Sequence, residues 1–147
     1  MTDDLPRTTA AGVVLFVRGD DDAPRFLLLR NAVHETWGFP KGHAEGDEGA
    51  LETARRELEE ETGVTEFTPV DGVEDVITYD VTTRSGRVRK TVTYFLGEVP
   101  TTAFRRSPEH DDHRWATADE ARALIEHDNL RGVLERAAAR CRRPPDR

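Results

Sequence analysis

Apolar positions in this chain come in short blocks, and the spacing inside each block changes along the sequence. Thr9–Val17 (TAAGVVLFV) is apolar and β-branched almost throughout, which predicts a strand covered on both faces. Asp20, Asp21, Asp22 and Pro24 interrupt it, and Arg25–Arg30 (RFLLLR) runs back as its partner. Trp37–Gly42 (WGFPKG), punctuated by Gly38, Pro40 and Gly42, reads as a loop. A helical period follows from Glu48 to Thr62, with Asp47 as N-cap, Gly63 as the terminating glycine, and Leu51, Ala54 and Leu58 on one arc as its core face. Val64–Val70 is expected to be extended. Val73–Thr82 and Val88–Val99 form a hairpin through Arg84–Arg87, and Pro100–Asp112 is a loop leading to a short strand, His113–Ala116. Thr117 caps a helix from Ala118 to His127, and a last helix starts at Asp128 or Asn129 and ends at Cys141. Residues 1–7 and 142–147 are expected to be disordered ends of a single domain spanning 1–147. Strands interrupted by one helix and closed by two more predict an α/β fold, a mixed sheet with helices on both faces.

Composition narrows the function classes. Charged residues make up 34% of the 147 positions and the formal net charge is −8, so general attraction to nucleic acid or anionic lipid is not expected. No apolar run reaches the ~18–20 residues of a membrane span, and the first residues lack the basic start and apolar middle of a signal peptide. A cytoplasmic protein is the expectation. The single cysteine, Cys141, excludes an internal disulfide and a cysteine metal cluster. Arginine supplies nearly all the basic residues, and Lys41 and Lys90 are the two lysines.

The helix Glu48–Thr62 carries an anomaly. Glu52 and Glu59 point away from the core arc and have Arg55 or Arg56 at helical spacing, the pattern of a solvated face. Glu57, Glu60 and Glu61 instead fall at i, i+3 and i+4, beside the apolar stripe, with Arg56 as the one basic residue at helical spacing. Such a face needs a cation. Hard oxygen donors suit Mg²⁺ or Mn²⁺, and arginines from elsewhere in the fold are the alternative.

The spacing of the whole segment carries a resemblance that bears on the choice. Gly42, Glu48, Arg56-Glu57-Leu58, Glu60-Glu61 and Gly63-Val64 reproduce, at nine constrained positions over 23 residues, the box that defines the Nudix hydrolases. The chain resembles that superfamily. The resemblance implies an α/β/α sandwich, a mixed sheet with the box helix on one face and the terminal helices on the other. It also implies hydrolysis of a nucleoside diphosphate linked to another moiety, with divalent cations held by Glu57, Glu60 and Glu61 and by the backbone carbonyl of Lys41. Glu57 is a candidate base, and Glu48 and Arg56 form a salt bridge that steadies the loop.

Outside the box, AAGVVLF, FLLLR, WGFPKGH, RKTVTYFLGEV and SPEHDDHRW resemble the asymmetrically cleaving diadenosine tetraphosphate hydrolases. A small nucleotide, split into ATP and AMP, is the implied substrate. Both lysines lie inside these motifs, and a flexible ammonium suits a phosphate whose charge moves during transfer, so Lys41 and Lys90 are read as phosphate contacts. His43 and His110 are further candidates for phosphate contact, and His34 a weaker one. Glu109 matches a second acidic position, as metal ligand or base. Tyr94, four residues from Lys90 on one strand, is expected to stack a base; Tyr79 on the neighbouring strand is a second candidate, read first as hairpin packing, and Trp37 and Trp115 are read as core. ADP-ribose, nucleoside triphosphates, capped RNA ends and diphosphoinositol phosphates are alternative substrates, and a non-catalytic ligand sensor is the rival outside enzymology.

Overall fold

In the computed structural model, which describes residues 5–142, the two leading apolar blocks form strands β1 (Arg7–Arg18) and β2 (Pro24–Asn31). Their turn is closed by the Gly19 N–H, which donates to the Ala23 carbonyl at 2.9 Å, with Asp22 at φ 62°. Aspartate tolerates that left-handed conformation better than most residues. Two short strands, β3 (Trp37–Gly38) and β4 (Lys41–His43), occupy the segment expected to be a loop. They exist through pairing with β2 and β1, which two or three residues cannot signal locally. The remaining elements are α1 (Ala50–Thr62), β5 (Thr68–Pro69), β6 (Asp75–Thr83), β7 (Gly86–Glu98), β8 (His110–Ala116), α2 (Ala118–Leu124) and α3 (Asp128–Cys141). Of the ends expected to be disordered, residues 1–4 and 143–147 lie outside the described residues, while Arg7 is already paired with Arg89 in the sheet. No helix among the described residues is long and apolar enough to cross a membrane.

β1 organises the sheet. It runs parallel to β7 from Arg7↔Arg89 to Phe16↔Glu98. Its other edge is shared: β4 pairs with its first half (Ala10↔His43 to Gly12↔Lys41) and β2 with its end (Phe16↔Phe26 to Arg18↔Pro24). β2 then leaves β1, carrying β3 on one stretch and β8 along most of its length. A crevice therefore opens between β1 with β4 and β2 with β3, bridged where the Val13 N–H donates to the Pro40 carbonyl at 3.1 Å. β6 lies antiparallel along β7 as a long hairpin.

Alternate residues of β1 serve two cores, which is why the block is apolar at every position. Ala10, Val14 and Phe16 pack with Phe26, Leu28, Val92 and Leu96 against Val133, Leu134 and Ala137 of α3. Ala11, Val13, Leu15 and Val17 pack with Leu27 and Leu29 against Ala54 and Leu58 of α1. The predicted sandwich is the observed one.

The start and inner face of α1 differ from expectation. The N-cap is Gly49, whose N–H donates to the Glu52 carboxylate at 3.2 Å, so Glu48 belongs to the loop and Asp47 caps nothing. Leu51, expected in the core, is 43% exposed, and Thr53 and Thr62 are buried beside Ala54 and Leu58 instead. Leu51 stands on the first turn, at the rim of a cavity with Arg55 and Phe67. Arg55 packs its guanidinium 4.7 Å from the Phe67 ring centre and forms no ion pair with Glu52 or Glu59 among the described residues. The other end follows the sequence: Gly63, at φ 75°, donates its N–H to the Glu59 carbonyl at 2.8 Å.

Candidate active site

The last two turns of α1 and strand β4 bring the carboxylates together. Gly42 has no side chain, and the Glu57 carboxylate fills the place where a Cβ would stand. Glu61, 6% exposed, accepts a hydrogen bond from the Lys41 N–H at 3.1 Å. Arg56 is the cation that makes the crowding tolerable. Its Nε donates to Glu48 at 2.7 Å and its Nη2 to the His43 carbonyl at 2.8 Å. Its Nη1 lies 3.2 Å from Glu60, 3.5 Å from Glu57 and 3.6 Å from Glu45. One guanidinium thus faces four carboxylates, and the expected Glu48–Arg56 bridge is its strongest contact.

The remaining charge is not neutralised. Burial, followed by the Glu60 carboxylate, pushes the Glu57 carboxyl up to about 6. Burial, followed by Glu57, pushes Glu61 up to about 8, although the Lys41 N–H acts the other way. Glu109 raises both, which places its charge at the same site. The geometry explains how a distant loop residue arrives there. A helix leaves its last carbonyls without internal partners. Here the Glu61 carbonyl accepts from Ser107 N–H at 3.1 Å and the Thr62 carbonyl from Arg105 N–H at 2.7 Å. The Ala32 N–H donates to the Glu109 carbonyl at 3.0 Å, and Ser107 Oγ lies 3.2 Å from His110 Nδ1. The loop before β8 is stitched to the end of the acidic helix.

Basic groups oppose this cluster. Burial, followed by the neighbouring Lys41 ammonium, brings Lys90 down to about 8. His43 is lowered by burial, then by Lys90 and Lys41, and His110 chiefly by burial. Lys41 and His110 also line a cleft of about 440 Å³, together with Asn31, His34, Trp37, Tyr79, His127 and Asn129.

Of the aromatic expectations, the one for Tyr94 is overturned. Tyr94 does share a face of β7 with Lys90, but it is 1% exposed and packs edge-on against Phe39 at 5.7 Å, so its ring has no free face for a base. Its hydroxyl is buried without a hydrogen-bond partner among the described residues, within electrostatic range of Tyr79 and Glu61. Tyr79 packs against the core as expected, and it also pairs across from Lys90 and lines the cleft. Trp37, also read as core, is half-buried on the opposite wall, and its place on β3 follows from long-range pairing.

No three metal-ligating side chains among the described residues are already drawn in to coordination distances. The donor set nevertheless fits a hard divalent cation. Its carboxylates are oxygen donors, two of them are driven towards protonation by burial and then by neighbouring carboxylates, and a dication would offset that repulsion.

The chain matches the NUDIX domain family over residues 6–137. It is 36% identical over 137 residues to the asymmetrical bis(5'-nucleosyl)-tetraphosphatase of Sus scrofa, covering 86% of this chain and 90% of that one. It is 35% identical over 124 residues to the RNA pyrophosphohydrolase of Caulobacter vibrioides, covering 75% of this chain and 72% of that one. Among solved structures, a C. elegans Ap4A hydrolase binary complex superposes with a TM-score of 0.81 at 24% identity, over 90% of this chain and 96% of that one, a likeness of fold. Sandwich, box helix and family match coincide over nearly the whole described chain, and this protein belongs to the Nudix family.

Proposed function

We propose that this protein is a pyrophosphohydrolase of dinucleoside polyphosphates, splitting diadenosine tetraphosphate asymmetrically into ATP and AMP. The observation that carries the reading is the opposition of Glu57, Glu60, Glu61 and Glu109 to Lys41 and Lys90 beside a cleft walled by Trp37 and Tyr79. A phosphate chain suits that opposition, and an aromatic wall suits a base. The similarity to the Sus scrofa tetraphosphatase supports the substrate class.

Nudix hydrolases work with divalent metal ions, and Mg²⁺ or Mn²⁺ is proposed here. Glu57, Glu60, Glu61 and the Lys41 carbonyl would hold the cation, with Glu109 as a further ligand or the base. When bound, such an ion neutralises phosphate oxygens and lowers the pKa of its water. The chain's own residues do the rest. Lys90, from the cleft side of β7, and Lys41 place positive charge against the non-bridging oxygens, where it counts most as charge shifts in the transition state. His43 and His110, held towards the neutral form, donate hydrogen bonds to phosphate without adding to the repulsion between the lysines. Tyr79, which lines the cleft, takes the stacking role that buried Tyr94 cannot. Lys41 thus has two roles, its carbonyl to the metal and its ammonium to phosphate.

The test is a nucleotide panel with Mg²⁺ or Mn²⁺ in ¹⁸O-labelled water, with products resolved by chromatography and mass spectrometry. ATP and AMP from diadenosine tetraphosphate, with label in one of them, is the expected result. Two ADP molecules, or rapid ADP-ribose cleavage with no turnover of the tetraphosphate, refutes the reading. The similarity to the RNA pyrophosphohydrolase of Caulobacter vibrioides favours an RNA end, such as a capped one, as a second reading, and the panel includes it.

A further inference from the structure

A second cavity, of about 400 Å³, lies between α3 and the sheet beneath the turn that leads into β6. Its walls are apolar: Val14, Val73 and Leu96 from the sheet side, Val133 and Ala137 from successive turns of α3. Two arginines stand at its rim. Arg136 is spoken for, because its Nε donates to Asp75 at 2.7 Å. Arg140 is different: its Nη2 donates to the Asp71 carbonyl at 2.7 Å, and it forms no ion pair among the described residues. Gly72, in the left-handed region at φ 77°, brings the turn close against that guanidinium, within 3.8 Å of where a Cβ would stand. An open apolar cleft, with a forked cation at its mouth that is held by one carbonyl and by no ion pair among the described residues, is complementary to a small molecule with an apolar body and an anionic planar head. Glu74 and Asp75 on the same rim disfavour a highly charged phosphate ester and tolerate a single negative charge held by Arg140.

We propose that this cavity binds a medium-chain alkyl carboxylate, with the chain against Val14, Leu96, Val133 and Ala137 and the carboxylate on Arg140. Tyr94 lines the same cavity, and its hydroxyl lies within electrostatic range of Glu61 and Tyr79, so one buried residue adjoins both the cavity and the carboxylate cluster. The site does not depend on the reaction proposed above.

The test is a titration of ¹⁵N,¹³C-labelled full-length protein with octanoate, octylamine and octanol, followed by amide and methyl shifts. Octanoate is expected to give saturable shifts at Val14, Leu96, Val133 and Ala137. Octylamine should give none, and octanol should bind roughly tenfold more weakly for want of the charge-assisted hydrogen bonds. Arg140→Gln, an exposed change that leaves the core intact, should weaken octanoate by the same factor and leave octanol unaffected. Ala137→Phe, if folded, should abolish both. Equal binding of octylamine, shifts scattered over the surface, or an Arg140→Gln protein that binds octanoate as well as the parent overturns the proposal. So does a concentration-dependent dimer that buries these methyls without ligand.

Discussion

Gly42→Ala separates the chemistry of this site from its fold. Gly42 shows no positive φ, so alanine imposes no backbone strain. The added methyl would nevertheless occupy the position of the Glu57 carboxylate, all three of whose atoms stand in its way. Ordinary carbon contacts begin near 3.4 Å, so the carboxylate has to withdraw by more than ~1 Å. It can do so cheaply, because the obstacle is the end of a flexible side chain. If Glu57 holds the reacting centre as proposed, a displacement of that size lowers turnover by ~10²-fold, or ~2.7 kcal/mol of transition-state stabilisation. Folding stability should hardly move. Gly12→Ala is the contrast. There the new methyl meets the Pro40 carbonyl and the Lys41 Cβ, so the backbone of β4 must shift, at a cost of ~1–3 kcal/mol in stability. Steady-state kinetics on diadenosine tetraphosphate and thermal melts of the two variants make the measurement. Full kcat in Gly42→Ala, or equal losses of melting temperature in both, refutes the placement of Glu57.

Four further outcomes follow from the same geometry. Treatment with a chelator should abolish turnover, and Glu60→Gln should remove most of it while the fold survives; full activity after chelation refutes the metal reading. Lys90→Met should lower kcat/KM by ~10²-fold, read from initial rates, whereas Tyr79→Ala should act mainly on KM. Glu48, held down to about 2 by Arg56 first, stabilises the fold when ionised; that gain is present above the ordinary 4.5 and lost as pH falls towards 2, so Glu48→Gln should flatten the acid limb of melting temperature against pH. Glu61 has the opposite sign: with its carboxyl raised to about 8, metal-free protein is favoured below 4.5 and loses that advantage as pH rises through 8, so Glu61→Gln with chelator should raise the melting temperature at alkaline pH and leave it unchanged near pH 4.

What the sequence could disclose depended on how local the cause was. The box glutamates were legible because a helix fixes residues three and four apart on one side, and nothing beyond α1 is needed to say that Glu57, Glu60 and Glu61 converge. β1 was legible because a strand buried on both faces has no polar position to spare. Leu51 failed for a reason of extent. Helical phase gives the side a residue faces, but not whether that side is covered along the whole helix; on the first turn Thr53 is covered and Leu51, beside a cavity, is not. Tyr94 failed on depth. Alternation placed Tyr94 correctly on the face of Lys90, yet depth depends on Phe39 and α3, which arrive from other parts of the chain. β3 and β4 are too short to carry a pattern of their own and are defined wholly by their partners.

The four glutamates crowded into Arg56–Gly63 (RELEEETG) have a physical account. Glu59 faces solvent, Glu60 is paired with Arg56, and Glu57 is half-buried within 3.5 Å of that same guanidinium. Glu61 is the exception, a buried carboxyl whose main compensation is one backbone N–H, from Lys41. A chain selected for stability alone would place glutamine or leucine there, because an uncompensated buried carboxylate is among the costlier things a fold can hold. Arg56 already faces four acids and cannot serve a fifth. Retaining Glu61 beside Glu57, with Glu109 drawn in on a loop tied to the carbonyls of Glu61 and Thr62, therefore makes sense where a dication completes the group. By that argument the metal should stabilise the fold as well as the transition state. Melting temperature should rise with Mg²⁺ or Mn²⁺ in the parent protein, and the rise should shrink in Glu61→Gln.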